Sequence, residues 1–182
     1  MKRLLVIVLA VATGCVATSH TRVLVAYEGA QPPDNVALEA VNATGHALPL
    51  PRPGLIEEAV RVVTQQPPPE SSIVDAFVDA ATEHLTKMQI GVAVPAGLTL
   101  RIRLLGWDVN NATAAGGVAV VSAEYQLLDE AGGVRWAVEQ DGLRIRLGGP
   151  NLSRYEIARI TRTCVALAFA SLRPSTTATP HS

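Results

Sequence analysis

The chain has 182 residues, with 15 Lys or Arg against 16 Asp or Glu, 48% hydrophobic residues and 17% charged. That near-balance excludes a strongly basic nucleic-acid binder, and the apolar content excludes a disordered chain while fitting one packed domain. Aromatic residues, at 4%, are too few for a surface that stacks bases or sugars, and no run of 18 apolar residues is present to span a bilayer.

The first residues read as a processing signal. Lys2-Arg3 forms a basic start, residues 4–11 form a short apolar run, and Ala12-Thr13-Gly14-Cys15 follows as small residues ending in cysteine. This resembles the bacterial lipoprotein signal, in which a peptidase cuts ahead of the cysteine; the family pattern usually has leucine where Ala12 stands. The resemblance implies that residues 1–14 are removed after Gly14 and that Cys15 carries acyl chains. With Val16 next and no Asp to suggest retention at the inner membrane, it also implies the outer membrane, periplasmic face. Each buried methylene contributes about 0.8 kcal/mol, so several acyl chains anchor firmly. Cleavage leaves 168 residues with 13 basic and 16 acidic groups, a formal charge of −3 that gains nothing from polybasic attraction to lipid. Cys164 is then left without an intramolecular disulfide partner and reads as a small hydrophobe on a helix face.

Residues 15–22 read as a lipidated tether and 23–173 as a single domain. Val23-Leu24-Val25-Ala26-Tyr27 has the β-branched character of a first strand, Pro32-Pro33-Asp34 turns the chain, and residues 36–41 suit a second strand. Proline-rich loops follow at 49–53 and 67–69. Between them, residues 55–63 fit either a helical face or a strand. Ser72 with Asp75 offers a helix start, after which Ile73, Phe77, Ala80, Ala81, Leu85 and Met88 share one stripe and Gly91 supplies a stop.

The next segment alternates as strands do. Leu98, Leu100, Ile102 and Leu104 face one way and Thr99, Arg101 and Arg103 the other. Residues 110–117 form a small-residue loop. A strand over 118–128 puts Val121, Ala123, Tyr125 and Leu127 opposite Ser122, Glu124 and Gln126, and residues 129–133 turn the chain. Val134, Trp136 and Val138 alternate with Arg135, Ala137 and Glu139, and Leu143, Ile145 and Leu147 with Arg144 and Arg146, after a break at Asp141-Gly142. Ser153 with Glu156 forms a capping box for a helix whose Ile157, Ile160, Cys164, Leu167, Ala168 and Leu172 recur at helical spacing; Pro174 stops it, and 174–182 reads as a disordered tail. Two apolar helix stripes need one apolar sheet face, so the expected class is α+β: a two-layer sandwich of an antiparallel or mixed sheet of four or five strands under two main helices.

The stretch from Leu98 to Trp136, with Gly106-Trp107, Leu127-Leu128-Asp129, a glycine turn and Val134-Arg135-Trp136, resembles the hairpin pattern of small periplasmic lipoproteins. Those proteins are similar to the N-terminal domain of TolB and to the accessory lipoproteins of envelope transport and secretion systems. The resemblance covers residues 71–172 and implies a noncatalytic adaptor, or an assembly or transport accessory, with an envelope protein as partner. Under it, Trp107, Arg101, Arg103, Arg144 and Arg146 would form the partner surface. The competing reading of the arginines is a solvated sheet face paired with Glu124 and Glu139.

Catalysis has little support in the residues. Of the four histidines only His84 falls within a well-defined element; His20, His46 and His181 lie in the tether, a loop and the tail. There is no histidine pair at metal-binding spacing, no Gly-x-Ser-x-Gly elbow and no phosphate loop, so neither an enzyme, a metal site nor a cofactor is expected. The alternative is a carrier that holds a small apolar ligand between sheet and helices, which would require an interior cavity.

Overall fold

Strand alternation and two helical stripes assemble into the expected two layers. A computed structural model describes residues 20–29, 31–48, 73–110, 117–148 and 152–172. The strands are β1 His20–Val25, β2 Asn35–Asn42, β3 Gly91–Val92, β4 Leu98–Asn110, β5 Val118–Asp129 and β6 Val134–Arg146; the helices are α1 Ile73–Lys87 and α2 Arg154–Phe169. They form one six-stranded sheet in the order β1-β6-β5-β4-β2-β3. The signal, Gly14, Cys15, both proline-rich loops, residues 55–63 and the tail lie outside the described residues.

The sheet exceeds the expected four or five strands because the short Gly91–Val92 is added at one end, and the strands at both ends pair in ways the sequence reading lacks. β1 starts at His20, so His20, Thr21 and Arg22, read above as tether, already pair with β6. At the other end β2 runs parallel to β4, with Ala37 opposite Thr99 and Asn42 opposite Leu104. Parallel neighbours need a long crossover, here the segment containing α1, so the sheet is mixed. The two-residue β3 adds to β2.

Leu100, Ile102, Leu104, Val121, Tyr125, Leu127, Trp136, Val138, Leu143 and Ile145 face the helices and are buried. From the other layer Ile73, Phe77 and Leu85 of α1 and Ile157, Ile160, Cys164 and Phe169 of α2 close onto them. Phe169 lies at the centre of an aromatic cluster, edge-on to His84, Tyr125 and Trp136 with ring centroids 5.3, 6.3 and 5.9 Å away. Such edge-to-face pairs add to the burial of their surface. Gln140 is the polar exception on this face. Its Nε2–H donates to the Cys164 carbonyl at 2.9 Å and its Oε1 accepts the Tyr125 hydroxyl at 3.2 Å, so both ends of the buried amide are engaged.

The expected break at Asp141-Gly142 is a β-bulge inside one continuous strand. Asp141 and Gly142 together oppose Ser122, and on the far side of Ser122 the ladder skips Leu105, so three neighbouring strands kink at one level. Ser122 pins the kink: its hydroxyl accepts the Gly142 N–H at 2.9 Å and donates to Asp141 Oδ1 at 3.2 Å. Gly142 has φ +60°, where a side chain is disfavoured.

Helix α1 ends before the expected Gly91. Gln89 adopts a left-handed φ of 62°, the Ile90 N–H returns to the Leu85 carbonyl at 2.9 Å, and the Gln89 N–H bonds Thr86 at 3.0 Å. This is a Schellman closure sealed by the buried pair Leu85 and Ile90. At the start of α2, Ser153 is the N-cap as read from the sequence and accepts the Glu156 N–H at 3.2 Å. The Glu156 carboxylate does not complete the usual box; it reaches across to the Gly148 N–H.

Candidate interaction surface

The sheet face turned away from the helices carries charges in matched rows. Register places Arg103, Glu124, Glu139 and Arg22 side by side on β4, β5, β6 and β1. The Arg103 guanidinium meets Glu124 at 2.7 Å, Arg22 meets Glu139 at 2.5 Å, and Gln126 donates to Glu124 at 2.9 Å. In the row below, Arg101 pairs with Glu39 of β2 at 2.9 Å. Glu124 therefore serves an arginine as the sequence suggested, whereas Glu139 serves Arg22. Glu124 and Glu139 stand opposite each other in this row, each neutralised by an arginine on its outer side, and each exposed pair contributes only about 0.2–1 kcal/mol.

The five residues named above as a partner surface do not share one patch. Arg101 and Arg103 lie in the charged rows on the open face. Arg144 and Arg146 are also on that face, opposite Val120 and Val118, but beyond the bulge near the end of β6. Trp107 is on the other face, opposite Val121, half-buried and edge-on to Phe77 at 6.4 Å; its indole N–H meets no acceptor among the described residues.

The titratable groups near the turns and helices act as fasteners. Asp129 organises the β5–β6 hairpin: its Oδ1 accepts the N–H groups of Gly133 at 2.7 Å and Ala131 at 3.1 Å, and its Oδ2 accepts Arg135 at 2.9 Å. The Gly133 N–H above all holds this carboxyl below its ordinary range; partial burial opposes it, and Arg135 assists. Glu83 of α1 joins Lys87 at 2.6 Å to Arg162 of α2 at 2.7 Å, and both bonds lower its pKa. These three line a shallow depression of about 240 Å³ with Ala80, His84 and Ala166. Burial pushes the Cys164 thiol and the Tyr125 hydroxyl well above their usual values. Among the described residues no cluster of three His, Cys, Asp or Glu side chains is placed to hold a metal ion, and no helix is long and apolar enough to cross a membrane.

Arg22, Glu39 and Glu83 were missed as functional or organising residues by sequence reasoning. Their partners stand 117, 62 and 79 residues away, and only strand register or helix packing brings them together.

The class these features define is an α+β sandwich with a filled interlayer core and a charge-paired open sheet. Its likeness to two solved structures of PelC shows the same fold. The PelC dodecamer from Paraburkholderia phytofirmans matches with a TM-score of 0.54 at 14% identity, covering 87% of this chain and all of that one. A point variant of that PelC gives 0.52 at 15% identity over 86% of this chain and 99% of the other. A protein of Xanthomonas campestris assigned to family DUF330 gives 0.46 at 14% identity, over 82% and 92%. No family model matches the sequence, and no curated protein matches it.

Proposed function

We propose that this protein is a noncatalytic lipoprotein of the bacterial envelope, anchored through Cys15, that serves as a structural accessory in a protein assembly including further copies of itself. The observation that carries the reading is the outer edge of β1, which pairs with no further strand among the described residues and where Val23, Leu24 and Val25 are exposed. Such an edge pairs readily with another chain unless it is covered. The structural neighbour PelC is a dodecamer. The lipoprotein-like start at Ala12-Thr13-Gly14-Cys15 supports the anchor and the outer-membrane placement.

The noncatalytic reading draws on where the reactive side chains are spent. His84 packs edge-on to Phe169, Asp129 shapes a turn, the Glu156 carboxylate holds the Gly148 N–H, and the Cys164 thiol is buried. Against the carrier alternative, Phe77, Tyr125, Trp136 and Phe169 occupy the space between the layers with almost no exposure.

The test is the native mass of the acylated full chain extracted from membranes in mild detergent, with any co-purifying envelope protein identified. Discrete multiples of the chain, lost when Leu24→Asp breaks the apolar edge, support the reading. A monomer with no partner contradicts it.

A further inference from the structure

The two edges of the sheet complement each other. β1 forms one edge. At the other, β3 covers β2 only at Asn35 and Val36, where the Ala93 N–H closes on the Val36 carbonyl at 3.1 Å. Along Ala37–Asn42 the outer side of β2 therefore pairs with no strand among the described residues. β2 runs parallel to β4, which shares its direction with β6, and β1 is antiparallel to β6, so the two edges run in opposite directions.

Register followed across the sheet gives the level of each edge residue. Arg22 stands level with Glu139, Glu124, Arg103 and finally Val41. Val23 stands level with Val138, Tyr125, Ile102 and finally Ala40. On the helix side, exposed Val23 at one edge thus matches half-buried Ala40 and Leu38 at the other. On the open face, Arg22 ends one edge and Glu39 the other. Each keeps its partner within the copy, Glu139 or Arg101, while 67% of the arginine side chain and 44% of the glutamate remain exposed. Set edge to edge at one level, the charges run Arg101, Glu39, Arg22, Glu139, with Glu39 diagonal to Arg22 and within reach of so long a side chain. Two β1 strands paired symmetrically with each other would instead bring both Arg22 side chains onto one face and leave the β2 edge uncovered.

From this complementarity we infer that β1 of one copy pairs antiparallel with the outer edge of β2 in the next copy, continuing the sheet from chain to chain. The inference rests on the self-assembly proposed above and specifies its joint. Because the joint is heterologous, every copy still offers one edge to each of two neighbours. The bulge between Val23 and Val25 confines regular pairing to His20–Val23, and Leu24, 43% exposed, adds apolar surface beside it.

The test uses two full-length chains with different tags, one Val23→Cys and the other Ala40→Cys, co-expressed and extracted from membranes in mild detergent as an acylated assembly. Cys164 is buried, and acylation occupies the Cys15 thiol. Residues directly opposite across antiparallel strands lie within disulfide reach, and a short bis-maleimide, which tolerates a slip in register, repeats the measurement. A crosslink joining the two tags, with none within either tag, is the expected result, and Leu24→Asp on the Val23→Cys chain should abolish it. A single chain carrying both cysteines should give a ladder of crosslinked multiples, since the two positions stand at opposite edges of one sheet. Val23→Cys chains linked to each other mark the symmetric joint and overturn the inference, as do intact multiples that crosslink in no combination; both results leave self-assembly standing. A single copy bound to a different envelope protein also overturns the inference, and a monomer without any partner overturns both readings.

Discussion

Glu156 Oε2 accepts the backbone N–H of Gly148 at 3.2 Å while Arg159 holds the same oxygen at 2.8 Å, so one carboxylate locks the end of the sheet to the start of α2. Burial raises the pKa of this group, but the bonds from Arg159 and Gly148 outweigh it, and the net shift is downward. Since the folded value is below the unfolded one of about 4.3, the contribution to stability is complete above that pH and is lost as pH falls through the folded value. Thermal melts of wild type and Glu156→Gln should differ at neutral pH and converge in acid. A gap that persists at low pH would assign the effect to packing. Gly148→Ala should also destabilise, by about 1–2 kcal/mol, because its Cβ would stand 2.9 Å from Glu156 Oε1.

Gln140 serves two buried groups, so its loss strands both. Gln140→Leu should cost about 2–4 kcal/mol, leaving the Tyr125 hydroxyl and the Cys164 carbonyl without their partner. Adding Tyr125→Phe to that variant should restore part of the loss, which denaturant titration of the four species in a double-mutant cycle measures.

The two faces of β4 should answer substitution differently. Leu100→Ala, and Ile160→Ala in the helical layer, should each cost about 2–5 kcal/mol, since both side chains are buried in the core. Arg101→Ala, on the open face, should change stability by no more than about 1 kcal/mol. Equal effects at Leu100 and Arg101 would show that the face assignment is inverted.

Much of this architecture is legible in the sequence. The alternation in residues 98–104 and 118–128, the stripe Ile73, Phe77, Leu85 and the Ser153–Glu156 pair each identify an element and its buried side, because local periodicity and capping are short-range properties. Partnership between strands is not. Asp141-Gly142 reads as a break, and only the position of Ser122 on the neighbouring strand makes it a bulge. Likewise, nothing near residues 36–41 announces that they pair in parallel with β4. The five proposed surface residues scatter for the same reason: the skip at Leu105 shifts Trp107 to the helix side, whereas Arg101 and Arg103 precede it.

The helix stop at Gln89 offers a gain in stability. A left-handed φ of 62° at a non-glycine residue costs about 1 kcal/mol, so Gln89→Gly should raise stability by about that amount, with the Leu85–Ile90 closure retained. An unchanged or lowered melting temperature would show that the glutamine side chain contributes more than the strain removes.

The proposed envelope role rests on acylation of Cys15, which metabolic labelling with palmitate measures directly. Wild type should incorporate label and fractionate with membranes, and Cys15→Ser should incorporate none and either leave the membrane fraction or stall unprocessed. An unlabelled wild type, together with identical fractionation of the two proteins, would contradict the lipoprotein reading.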